Sequence, residues 1–326
     1  MNFAIVGCGL IGMKRMRALR QSHQIVAAAD IALDRARALA EQSGATLATA
    51  DWREVIAQPT VDAVVIATTN DQLAPITLAS VSSGKHVLVE KPAARNAEEL
   101  RPVLAAAEQA GVCVQVGFNH RFHPALWKAK EILDSGVLGP LMFIRGRYGH
   151  GGRVGYDREW RADPKISGGG ELLDQGVHLI DLARWCLGEF VHVEGHAGTY
   201  FWNMPVDDNG FLYLRTAKKQ TAWLHASCSE WKNMFSFEIY GREGKLQIDG
   251  LGGSYGVERL SYYRMLPQMG PPETTIWEYP GEDLSWKTEL TVFLESIESG
   301  TQKGPGLKDA LAALEIVGAI YQKSTL

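Results

Sequence analysis

A short apolar run, Asn2-Phe3-Ala4-Ile5-Val6, passes directly into Gly7-Cys8-Gly9-Leu10-Ile11-Gly12, and this junction narrows the fold further than any other stretch of the chain. GxGxxG between a buried strand and a helix is the phosphate turn of a dinucleotide-binding βαβ unit. The spacing predicts a helix from about Met13 to Ser22 whose first amides face a pyrophosphate. Gly7, Gly9, Leu10, Ile11 and Gly12 are therefore candidate cofactor contacts. The next strand, Gln24 to Asp30, ends in an acid 18 residues after Gly12, where a carboxylate can bond the adenosine ribose hydroxyls. Asp30 also repels a 2′-phosphate, and Ile31 and Ala32 bring no cation to reverse that. NAD is expected over NADP, although Arg35 or Arg37 would soften the preference.

The alternation continues with strands at Ala63–Thr68, His86–Val89 and Val112–Val116, which predicts a doubly wound parallel sheet. Ligands of such sheets sit outside the carboxyl ends of the strands. Polar groups cluster there: Thr68, Thr69 and Asn70, then Glu90 and Lys91 before Pro92, then Asn119. Lys91 is a cation delivered by a rigid strand to the cofactor crevice, or else a surface lysine paired with Glu90.

A second signature is Gly168-Gly169-Gly170-Glu171-Leu172-Leu173-Asp174-Gln175-Gly176-Val177-His178-Leu179-Ile180-Asp181. At about 100° per residue, Asp174, His178 and Asp181 share a stripe on an otherwise apolar helix. Buried ionisable groups must be paired, neutralised or turned to a ligand. Asp174 and His178, at i and i+4, form a candidate proton-transfer dyad.

Length and composition set the remaining limits. The 326 residues exceed one ordinary core and predict two domains. A net charge of −4 gives no polyanionic partner, so nucleic acid is not expected. No apolar run reaches the roughly 20 residues that span a bilayer. Cys8, Cys113, Cys186 and Cys228 show no zinc spacing, so no metal is expected and free thiols in a cytoplasmic setting are.

Beyond about residue 120 most of the tryptophans appear, with alternating runs at Thr221–Ser227 and Phe235–Tyr240 that predict strands with one covered face. Trp202, Trp223, Trp231 and Trp277 are expected in core or sheet packing. The stretch from Tyr148 to Arg161 combines glycines with His150, Arg153, Tyr156 and Trp160, a candidate substrate lid or else a solvated loop whose arginines make surface pairs. Together with Arg121, its arginines offer forks for carboxylate or phosphate, which allows a nucleotide sugar. Candidate substrate contacts are Arg121, Tyr148, His150, Arg153, Asp174, Gln175 and His178. A helix is expected from Leu307 to Lys323, packing back on the first domain.

GxGxxG, Asp30, Glu90-Lys91-Pro92 and the GGGxxxDxGxHxxD run together resemble the glucose–fructose oxidoreductase / inositol dehydrogenase / MocA family, over nearly the whole chain. The resemblance implies an N-terminal Rossmann domain and a C-terminal α/β domain with a large open, mostly antiparallel sheet that supports homodimers or homotetramers. The corresponding ranges are 1–120, 121–306 and a terminal helix over 307–326. It also implies that Lys91 is the active-site lysine ahead of a cis Lys91-Pro92 bond, that His178 is the general acid/base beside Asp174, and that Trp160-Arg161 lies near the cofactor. The family's Thr-Pro-Asn and following His are absent from Thr68-Thr69-Asn70-Asp71-Gln72-Leu73-Ala74, which affects the cofactor loop alone. The implied function is NAD-dependent hydride transfer at a hydroxyl-bearing carbon of a sugar, cyclitol or nucleotide sugar. Its rivals are an NAD-dependent redox-neutral glycosidase and a non-catalytic NAD-binding regulator.

Overall fold

Strands of nearly unbroken apolar composition need cover on both faces, and the computed structural model, which describes residues 1–20 and 23–324, provides it. β1 (Asn2–Val6), β2 (Gln24–Ala29), β3 (Leu47–Thr49), β4 (Ala63–Ile66), β5 (His86–Glu90) and β6 (Val114–Gly117) form one parallel sheet in the order β3-β2-β1-β4-β5-β6. The connecting helices are α1 (Leu10–Leu19), α2 (Leu33–Ser43), α3 (Trp52–Ile56), α4 (Asn70–Ser82) and α5 (Ala97–Ala110). Strand order reverses between β1 and β4, the switch point at which such sheets bind ligands. α1 begins at Leu10 rather than Met13, because the glycine turn feeds the helix without a spacer; the expected end at Ser22 lies outside the described residues.

This first unit comprises Met1–Phe118 together with Lys165–Gly168 and Trp286–Leu314. Leu290 and Phe293, on α9 (Ser285–Ser299), join Phe3, Ile5, Met16 and Leu39 in its core. Residues 286–306, expected with the second domain, thus cluster with the first. α10 (Leu307–Tyr321) is divided: the part up to Leu314 belongs to the first unit and the part from Glu315 to the second.

In the second unit, β7 (Leu141–Gly149), β8 (Phe190–Gly198), β9 (Asn209–Thr216), β10 (Thr221–Ser227), β11 (Met234–Gly241), β12 (Lys245–Asp249), β13 (Glu258–Arg264) and β14 (Glu273–Tyr279) build an eight-stranded sheet. Its order is β14-β13-β12-β11-β7-β10-β9-β8, antiparallel except for β7 against β10. Leu224, Phe237 and Ile239 point to the covered face, where they are buried. There the helix Val177–Leu187 packs on β7, since a Cβ on Gly146 would stand 3.2 Å from Leu179. The other face is open. Trp223, on β10, is 65% exposed on it, and Trp231 is 83% exposed and outside any core. A concavity of about 680 Å³ on the sheet is lined by Arg145, Arg147, Phe211, Trp223, Glu238 and Asp249, among others.

Candidate active site

At the carboxyl end of β1 the chain turns so tightly that a Cβ on Gly12 would lie 2.0 Å from the Gly7 carbonyl oxygen, which only glycine permits. Gly9, by contrast, faces open space, with nothing within 4 Å of where its Cβ would be. Gly9 caps α1, and Leu10 and Ile11 open its first turn, so their amides are available to an anion. The carboxylate of Asp30 is fixed by two backbone donors, Cys8 N–H at 2.8 Å and Ala32 N–H at 2.9 Å. A ribose diol requires such a preset acceptor. The turn, the open Gly9 and the oriented acid fit a dinucleotide.

The other strand ends differ in what their polar groups do. Asn70 begins α4 after Thr69 and is buried, donating from its amide to the Ser167 carbonyl at 2.8 Å; the Thr69 hydroxyl donates to Asp71 at 2.6 Å. Thr68 donates to the Thr69 carbonyl at 3.3 Å. Glu90 is bound to Arg15 at 2.6 Å, and Arg15 also ion-pairs with the buried Glu289 of α9. Burial alone would lower the Arg15 pKa, but Glu289 and Glu90 together raise it, so the guanidinium stays charged. Sequence reasoning missed Arg15 and Glu289 because their partnership spans 274 positions. It also engages Glu90, at the carboxyl end of β5, with Arg15. The Lys91-Pro92 bond is cis, as the resemblance implied.

In the second unit the triple-glycine segment meets Asp207. The Asp207 carboxylate accepts from Gly170 N–H at 2.9 Å, Leu172 N–H at 2.7 Å and the Tyr321 hydroxyl at 2.6 Å. A Cβ on Gly170 would stand 1.8 Å from the Asp207 carbonyl oxygen, which explains the glycine. Burial lifts the Asp207 pKa against those hydrogen bonds. The chain then makes a π-helical turn, Leu172–Gly176, before α8 (Val177–Leu187) begins. The expected straight helical stripe is therefore broken, because the wider turn changes the angular spacing between Asp174 and His178. Asp174 is ion-paired with Arg161 at 3.1 Å, and Gln175 is half-buried in the same turn. Asp181 takes Arg121 in a two-pronged bridge at 2.8 and 2.6 Å. The Arg121 fork is thus engaged by a carboxylate of the protein itself.

His178 is 3% exposed and stacks on His120, with ring centroids 3.7 Å apart and an interplanar angle of 26°. Tyr148 stands edge-on to both imidazoles, 6.1 Å from His178 and 4.9 Å from His120. Its hydroxyl donates to Tyr255, and burial, with Tyr255 and the field of Glu171 and Asp174, pushes its pKa far up. The phenol is a proton donor throughout the physiological range. Asn119, expected beside the cofactor, donates to Ser285 Oγ at 3.0 Å and meets His120 through its carbonyl oxygen.

The segment expected as a lid is largely exposed at Arg153 and Val154 and anchored on either side of them. Gly152 closes on Trp202, His150 stands 3.6 Å from Glu171, and Arg153 pairs with Glu159 at 2.7 Å. Arg161 lies over the ring of Trp160 at 4.6 Å while it holds Asp174.

Residues 1–118 match the model of the oxidoreductase family with an NAD-binding Rossmann fold, and residues 126–247 match the GFO/IDH/MocA C-terminal domain. The scyllo-inositol 2-dehydrogenase (NAD(+)) of Bacillus subtilis is 30% identical over 260 residues, which cover 76% of this chain and 73% of that protein. The chain belongs to the GFO/IDH/MocA oxidoreductase family. A second GFO/IDH/MocA relative, levoglucosan dehydrogenase of Pseudarthrobacter phenanthrenivorans, is 30% identical over 64% of this chain and 60% of its own length. The alignments thus span about three fifths of the first two curated relatives, 60% and 63%. A solved levoglucosan dehydrogenase in complex with NADH superposes with a TM-score of 0.89 at 25% identity, covering 99% of this chain and 98% of that one. The parallel sheet of the first unit is accordingly the family's NAD-binding Rossmann domain. Among the described residues no helix is long and apolar enough to cross a membrane.

Proposed function

We propose that this chain is an NAD-dependent dehydrogenase that oxidises a CH–OH group of an uncharged sugar or cyclitol. The observation that carries this reading is the buried imidazole of His178, stacked on His120 and edge-on to the phenol of Tyr148, on which the Glu171 and Asp174 carboxylates act, in a chain that has an NAD-binding domain. When bound, NAD supplies the hydride acceptor. Gly7, Gly9, Leu10, Ile11 and Gly12 hold its pyrophosphate and Asp30 its ribose, which favours NAD over NADP. His178 takes the hydroxyl proton, and Asp174 favours the imidazolium that results. Lys91 donates to the substrate oxygen as alkoxide charge develops. Tyr148 and Gln175 supply hydrogen bonds to further hydroxyls.

The narrowing to uncharged substrates rests on the arginines. Arg121, Arg153 and Arg161 each hold a carboxylate, Asp181, Glu159 and Asp174 respectively, so the forks that would read a phosphate are engaged. The open sheet face, with exposed Trp223 and Phe211 beside Arg145 and Arg147, pairs with a second copy to give a homodimer or homotetramer. The four free cysteines suit a reducing, cytoplasmic compartment.

The test is NADH absorbance on mixing protein and NAD with free sugars, anhydrosugars, cyclitols, glycosides and nucleotide sugars. A rise with neutral polyols that falls by roughly 10²-fold or more in Lys91→Met is expected. A rise confined to nucleotide sugars would refute the substrate class. Glycoside consumption without net NADH would replace the dehydrogenase with the redox-neutral glycosidase, and NAD binding without turnover would leave the regulator.

A further inference from the structure

The geometry points to His120 as a positioning residue that fixes the plane and tautomer of its own ring so that it can serve as a rigid plate for His178. This rests on the assignment of His178 as acid–base group. The two imidazoles are 4% and 3% exposed, stacked at 3.7 Å with 26° between planes, so the side chain of His178 is held by a flat surface on one face. A ring that must transfer a proton along one direction loses rate when it can rotate.

What makes the plate rigid is a directional chain of hydrogen bonds. The Asp283 carboxylate can only accept, and it takes the Ser285 hydroxyl proton at 2.6 Å and the Ser285 backbone N–H at 3.0 Å. With its hydroxyl donating to Asp283, the Ser285 oxygen accepts from the Asn119 amide at 3.0 Å. That orients Asn119 with its carbonyl oxygen toward His120 Nδ1, 3.2 Å away. His120 must then carry its proton on Nδ1. The carboxylate thus sets, three hydrogen bonds away, which nitrogen of His120 is protonated and where its plane lies. Tyr148, 4.9 Å from His120, and Phe235, 5.9 Å from it, bound the same ring edge-on and at a tilt. Neither the NAD-binding loop nor the Lys91 strand takes part in this chain, so its loss is separable from cofactor binding.

His120→Ala removes the plate, and His120→Phe keeps a flat ring without the hydrogen bond. With the polyol that gives turnover, His120→Ala should lower kcat by about tenfold or more while KM and NADH binding change less than about twofold, and His120→Phe, flat but cut off from the hydrogen-bond chain, should recover only part of the loss. A readout that needs no substrate is the ¹⁵N-histidine NMR spectrum. His178 should give one sharp set of ring signals in the wild type, broader signals in His120→Phe, and the broadest or doubled signals in His120→Ala. Unchanged kcat with a sharp His178 signal in His120→Ala would overturn the inference, as would a Phe variant as impaired as the Ala variant or one indistinguishable from the wild type, which would leave the hydrogen-bond chain without a role. His178→Asn separates the two levels: its full turnover would remove His178 from the chemistry and the inference with it, whereas its loss beside an unaffected His120→Ala would sink the inference alone.

Discussion

Asp30 illustrates how a single carboxylate can be read from spacing and then refined by its hydrogen bonds. Cys8 N–H and Ala32 N–H hold it in place, so the carboxylate is preset just beyond the carboxyl end of β2. Asp30→Ala should raise Kd for NAD and erase most of the discrimination against NADP, a change of about tenfold or more in the ratio of kcat/KM values for the two cofactors. An unaltered ratio would place the selectivity elsewhere. The thiols yield a second expectation. Burial, with the Asp30 charge second, pushes Cys8 up to about 12, and burial pushes Cys113 to about 11 and Cys186 to about 12. Since the thiolate is the reactive form, iodoacetamide should label the native protein slowly at neutral pH and faster as pH rises toward those values; rapid labelling of all four sites should follow only on denaturation. Fast native labelling at neutral pH would contradict these environments. Features that depend on local chain geometry, such as the tight turn that only glycine permits at Gly12 and the acid that closes the second strand at Asp30, were legible in the sequence. Arg121 and Glu90 were not, because their partners Asp181 and Arg15 lie 60 and 75 positions away.

At the level of elements, the strands were legible because period and composition dictate them. β1 falls where its apolar run does, and β10 coincides with the alternating Thr221–Ser227. The π-helical turn was not, since Leu172–Gly176 carries the same apolar spacing as an ordinary helix. Its cause is tertiary: Asp207 binds the amides of Gly170 and Leu172 and draws the entry of the helix toward itself. The ion triad that joins α1, β5 and α9 is a comparable case, and its energetics are testable. Arg15→Met leaves Glu90 and the fully buried Glu289 without their common cation, which should cost about 3–5 kcal/mol in urea unfolding. Adding Glu289→Gln should restore part of that stability, because an amide tolerates burial better than a carboxylate. Wild-type stability in the single variant would show that the triad is energetically idle.

For the whole molecule, the open face of the eight-stranded sheet is the feature with the clearest outcome. If that face pairs with another copy, sedimentation should give a dimer or tetramer for the wild type, and Trp223→Glu should shift it to smaller species while leaving far-UV circular dichroism unchanged. A monomeric wild type would refute the pairing. The division of the chain has a different consequence. The first unit needs Trp286–Leu314, which carries Leu290 and Phe293 into its core and Glu289 to Arg15. On a ribosome adding about 5–20 residues per second, the opening strand is made on the order of 15–60 s before that segment emerges. During that interval the nascent nucleotide-binding sheet exposes an unfinished apolar surface, so the chain's exposure to chaperones and to aggregation is set by the timing of its last helices and not by its first motif.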